Sequence, residues 1–159
     1  MGGNHEATNY HRELHYGGWV APNMYYMGCS NVIRYKGLTI GGLSGIFNSL
    51  DYEKGYCETV PYGPHSPDRI TSFHYRHLDI LKLLAYSSPV DIMVSHDWPS
   101  RIFQYGNVAS LLRRKPHFQY HCLSVLRRRE DIDNMNLGSQ PLMQVLDELK
   151  VTIHCRGDE

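Results

Sequence analysis

Leu142, Val145, Leu146 and Leu149 recur at i, i+3, i+4 and i+7, a spacing that lines one face of an α-helix with apolar side chains. Ser139 stands where an N-cap belongs, and Pro141 falls in the first turn, where proline is tolerated. A second helical pattern covers residues 76–86, with Leu78, Leu81 and Ala85 interleaved with Ile80, Leu83 and Leu84; Ser88-Pro89 ends it. Val90-Asp91-Ile92-Met93-Val94 is a short apolar run of the kind found in a buried strand of a parallel sheet. Residues 31–34 and 38–42 flank Tyr35-Lys36-Gly37 and predict a β-hairpin with a glycine-containing turn. Residues 23–27 suit another strand. Residues 44–75 carry Pro61, Gly63, Pro64 and Pro67 and read as one long irregular loop, a length usually functional or disordered. Strands alternating with helices predict an α/β layered domain.

The 159 residues fit one domain, and 42% hydrophobic with 20% charged residues is the composition of a globular chain. Sixteen basic and sixteen acidic residues leave no net charge, so any attraction to nucleic acid must come from local patches. The short runs Arg113-Arg114-Lys115 and Arg127-Arg128-Arg129 read first as solvated surface. Ten histidines point toward metal or acid–base chemistry, or toward surface drift. Cys29, Cys57, Cys122 and Cys155 form no C-x-x-C pair and read as reduced thiols of an intracellular protein. No apolar run approaches the roughly 18 residues that span a bilayer, and the start has no signal-peptide character. Gly2 does not make a myristoylation motif, because Glu6 occupies the Ser/Thr place.

Two short stretches carry chemistry. In Gly3-Asn4-His5-Glu6, glycine allows a close backbone approach, the Asn carbonyl is a neutral oxygen ligand, and a protonated His can donate to a leaving oxygen. Alone, the same residues read as a polar glycine turn. In Ser95-His96-Asp97-Trp98-Pro99, His96 follows a buried strand and so falls at the carboxyl edge of the sheet, where open α/β folds bind ligands. A locally hydrogen-bonded strand-end His is the competing reading.

Taken with Tyr16-Gly17-Gly18-Trp19-Val20-Ala21-Pro22-Asn23, Ile40-Gly41-Gly42-Leu43-Ser44-Gly45-Ile46-Phe47 and Leu137-Gly138-Ser139, these stretches resemble the RNA lariat debranching enzymes in order and near spacing. The resemblance covers about residues 2–114 and resumes around 130–150. It implies a calcineurin-like metallophosphoesterase α/β/β/α sandwich, here partial and lacking its first strands. It implies hydrolysis of the 2′–5′ phosphodiester at intron branch points, a divalent metal pair (Fe, Zn or Mn) about 3.5–4 Å apart, branched RNA as partner, and residence in the nucleus, possibly also the cytoplasm. Asn4 and His96 would be metal ligands, and His5 the acid for the leaving 2′-oxygen. Residues 44–75 match the family's lariat-recognition loop. There Tyr52, Tyr56, Tyr62 and Tyr75 would stack on bases, and Lys54, Arg69 and His74 would meet phosphates; a solvated loop with incidental aromatics is the alternative.

The match also fails in places. The family's Cys-x-His element and bridging Asp precede its Asn-His motif, and its late His pair has no counterpart here, since His154 stands alone and is not assigned as a ligand. Residues 119–128 read as an insertion and 151–159 as a divergent tail after a domain at 1–150. With two ligands and an unpaired sheet edge, negligible debranching is expected of this polypeptide. A catalytically dead RNA-binding remnant and a phosphoesterase for other substrates are the competing readings.

Overall fold

A computed structural model describes residues 1–63, 65–114 and 138–156. The expected insertion at 119–128 and the run Arg127-Arg128-Arg129 lie outside the described residues. The order is α1 (Thr8–Glu13), β1 (Gly18–Ala21), β2 (Met24–Tyr26), β3 (Ser30–Tyr35), β4 (Leu38–Leu43), α2 (Pro67–Thr71), α3 (His77–Leu84), β5 (Ile92–Ser95), a 3₁₀ turn (Ile102–Tyr105), α4 (Val108–Arg114), α5 (Gln140–Glu148) and β6 (Ile153–Arg156). This is the mixed α/β layering that the sequence pattern predicts.

The main sheet runs β3-β4-β5-β6, antiparallel in its first pair and parallel in the other two. Lys36 and Gly37 close the β3–β4 hairpin with φ of 48° and 86°, the double positive φ that a tight hairpin turn needs. Ile153–Arg156, in the segment read from sequence as a tail, is the fourth strand and pairs with β5. A separate small hairpin, β1–β2, was half foreseen. It turns at Asn23 (φ 61°) and leaves Trp19 71% exposed, edge-on to Tyr25 at 5.3 Å.

Leu43, Tyr75, Ile80, Leu83, Val90, Met93, Leu142, Val145 and Leu149 form the core, packing α3 and α5 on the sheet. Of the interleaved apolar residues of α3, Ile80 and Leu83 are buried, whereas Leu78 and Leu81 face solvent. The reason is that Asp79 at the third helical position also turns inward, where its carboxylate accepts from the Arg76 N–H, Ser30 and Tyr56. The N-cap of α5 forms as expected: Ser139 Oγ accepts the Leu142 N–H at 3.0 Å. A Cβ on Gly42 would meet the sulfurs of Met1 and Met27, and one on Gly41 that of Met93, so the N-terminal segment covers the sheet face opposite the core.

A candidate metal and phosphate site at the sheet's carboxyl rim

The parallel strands β4, β5 and β6 carry their carboxyl ends to one rim. The N-terminal segment is pinned there. The Gly2 N–H donates to Ser44 Oγ at 3.1 Å, and the Gly45 N–H donates to the Gly2 carbonyl at 2.9 Å. Gly45 has φ +83°, and a Cβ on it would lie 2.0 Å from the Phe73 carbonyl oxygen, so only glycine lets these segments meet.

His96 leaves β5 at this rim, and its ring lies against Gly3. A Cβ on Gly3 would sit 2.5 Å from His96 Cδ2 and 2.6 Å from Nε2. The imidazole and the Asn4 backbone are therefore neighbours across a single glycine. Asn4 Oδ1 and His96 Nδ1 are both buried and lack a hydrogen-bond partner. Each of these orphaned atoms is costly to bury unsatisfied, although the ring edge that faces Gly3 is Cδ2–Nε2, with Nδ1 on the far side of the ring. A neutral amide oxygen and an imidazole nitrogen are also the donors that a divalent cation takes. By donor type the two residues fit a metal; among the described residues no group of three or more His, Cys, Asp or Glu gathers to complete a shell.

His5 and Asn4 line an open cleft of about 410 Å³ whose far wall holds Tyr62, Arg69 and Phe73. The loop wall is fastened to α1, with the Tyr62 N–H donating to Asn9 Oδ1 at 2.7 Å. Glu6 also borders the cleft; its carboxylate accepts the Gly3 N–H.

The other loop residues named from sequence are placed differently. Tyr75 is 1% exposed, and its hydroxyl bonds Ser139 and Asp97. His74 is buried against Asp51 at 2.7 Å, and the Tyr56 hydroxyl donates to Asp79. These three are corrected from RNA contacts to internal ones, since their polar atoms are already engaged inside the domain. Tyr52 stacks on His77 and packs on Phe47, and Lys54 ion-pairs with Asp51, whose carboxyl this bond holds below the usual range. Arg69 stays exposed at the cleft. His154, unassigned from sequence, places Nε2 2.8 Å from Ser95 Oγ.

Sequence reading missed Asp97. Its carboxylate accepts the N–H groups of Phe47 (2.8 Å) and Trp98 (2.9 Å) and the Tyr75 hydroxyl (3.3 Å). Burial pushes its pKa up against those donors. Only its place beside His96 hinted at this role.

Behind the site, His15 lies 3.1 Å from Cys29 Sγ, and burial raises that thiol to about 11, so it is no nucleophile at neutral pH. Burial also lowers the pKa of His15 and of His11. Below the unfolded value of about 6.5, the unfolded chain then binds more protons than the folded one. Stability should be full above that pH and fall as pH drops through 6 toward 5. Urea midpoints at pH 7.5 and 5.5 measure the fall, and His15→Gln should flatten it; an unchanged slope would remove His15 as a cause.

No protein-family model matches the chain. It is 45% identical over 152 residues to the lariat debranching enzyme of Homo sapiens, and 49% identical over 150 residues to that of Schizosaccharomyces pombe. It is 42% identical over 162 residues to that of Drosophila melanogaster. The matches cover 96%, 94% and 98% of this chain but 26%, 30% and 28% of those proteins. The chain spans about a quarter of the length of the curated relatives it matches, and across that stretch it is a homologue of lariat debranching enzymes.

Proposed function

We propose that this chain, as a homologue of one stretch of the lariat debranching enzymes, carries part of a centre that hydrolyses the 2′–5′ phosphodiester of branched RNA in the nucleus. The observation that supports this reading is the packing of the His96 ring against Gly3, next in sequence to Asn4, with Asn4 Oδ1 and His96 Nδ1 each buried without a partner. We read the fold as part of a calcineurin-like metallophosphoesterase sandwich.

In this reading Asn4 and His96 hold one edge of a divalent pair of iron, zinc or manganese. When bound, such a pair supplies an activated water and neutralises charge on the phosphate oxygens. His5, on the open cleft beside Asn4, delivers a proton to the leaving 2′-oxygen. Arg69, across the same cleft, meets the charge of the RNA strand. With two ligands among the described residues, this chain by itself is expected to bind branched RNA far better than it cleaves it.

Titration with Mn²⁺ tests the site without relying on turnover. Paramagnetic broadening should appear first at the Asn4 side-chain amide and the His96 ring. Asn4→Ala and His96→Ala should each lower the affinity at least about tenfold, the loss expected when one donor of a sparse shell goes. Broadening centred elsewhere, and unmoved by both variants, would end the proposal.

A further inference from the structure

Residues 44–75 leave the sheet after β4 and return to it before α3, and the two ends of that excursion are zipped together. The Ile46 N–H donates to the Phe73 carbonyl at 3.1 Å, and the Tyr75 N–H to the Ile46 carbonyl at 3.3 Å. Asp97 then fastens both ends to the turn that bears His96. One of its oxygens, Oδ2, takes the Phe47 N–H from the outgoing end and the Tyr75 hydroxyl from the returning end; Oδ1 takes the Trp98 N–H.

The rest of the turn is held by further bonds, two of them through Ser139, which also meets the Tyr75 hydroxyl. Ser95 Oγ donates to the Asp97 carbonyl at 2.9 Å, the Ser139 N–H to the Trp98 carbonyl at 2.7 Å, and the Ser100 N–H to the Ser139 carbonyl at 2.9 Å. The Asp97 carboxylate is thus where loop position enters the setting of the neighbouring imidazole most directly, with the Tyr75–Ser139 bond as a second route. A largely buried carboxylate cannot surrender a donor cheaply, so the loop base and the His96 turn move together or not at all.

We infer that Asp97 is a positioning residue that links the loop to His96, so that a branched RNA seated on the loop and a divalent cation at Asn4 and His96 each raise the other's affinity. The inference rests on the reading given under Proposed function. The linkage is reciprocal by thermodynamic necessity, and couplings of this kind typically span about 5- to 150-fold.

The test follows Mn²⁺ binding at the His96 ring in the whole chain, with and without a short branched RNA oligonucleotide. For the unaltered chain, RNA should tighten Mn²⁺ binding about fivefold or more. Asp97→Asn puts an amide where two donors converge, so it should weaken Mn²⁺ binding about tenfold and abolish the RNA effect. Tyr75→Phe keeps the buried ring and removes the hydroxyl that meets both Asp97 and Ser139. It should retain Mn²⁺ binding while losing part of the RNA effect, and it decides the matter if Asp97→Asn does not fold. A carboxylate of merely structural importance would lower the melting temperature and leave the RNA effect intact in the folded molecules, which overturns the inference. Mn²⁺ and RNA both binding without influence on each other overturns it too, while sparing the proposed function. No binding of Mn²⁺ at His96 would sink both.

Discussion

Replacing Gly3 with alanine is expected to leave the fold standing and to empty the site of its imidazole. The methyl carbon would sit 2.5 Å from His96 Cδ2, well inside contact distance, so one partner must move. Gly3 is hemmed in by a side chain, not by backbone, and a ring at the end of two rotatable bonds yields more easily than a strand. The stability cost should therefore stay within about 1 kcal/mol. Displacement of a ligand by about 1 Å, in contrast, can cost about 100-fold in a function that needs exact geometry. Mn²⁺ broadening of the His96 ring should disappear while the urea midpoint hardly shifts. A Gly3→Ala chain that binds Mn²⁺ as tightly as the parent would show that His96 does not act next to Asn4.

The second large effect is one of stability. Arg76 is 2% exposed and lies within ion-pair reach of two acids. Its guanidinium bonds Glu58, the Asp51 carbonyl at 3.2 Å and the Thr71 carbonyl at 3.2 Å, lies 4.0 Å from the Asp51 carboxylate, and faces the Tyr56 ring at 5.0 Å. Removing one partner of a buried ion network strands the others without compensation, at about 3–5 kcal/mol. Arg76→Ala should therefore lower the denaturation free energy by about that amount. Arg76→Lys should not rescue it, because a point charge cannot bridge several acceptors as a planar fork does. Adding Glu58→Gln to Arg76→Ala should recover part of the loss by discharging one stranded acid. A loss under about 1 kcal/mol, typical of exposed pairs, would refute the buried network.

These two residues also mark what sequence could and could not disclose. The place of His96 at the sheet's rim and the β3–β4 hairpin were legible because their signals are local: a His after an apolar run, a Lys-Gly turn between strands. Helix α5 was legible through its period and its Ser139 cap. The ionic cluster around Arg76 was not, since Asp51, Glu58 and His74 meet it only after the loop folds back. For the same reason, Tyr56 and Tyr75 looked available in the chain and are engaged in the fold. Strand β6 escaped notice because four residues next to β5 owe their conformation to the strand they join.

The strand order sets a timetable for assembly. The β3–β4 hairpin pairs residues three to thirteen apart in sequence and can close within microseconds, as hairpins do. Strand β5 must instead find β4 across some fifty residues, and β6 must find β5 across about sixty. Such distant pairings carry a high contact order and come late in folding. His96 stands just past β5, so its ring reaches its place against Gly3 only once that distant pairing has been made.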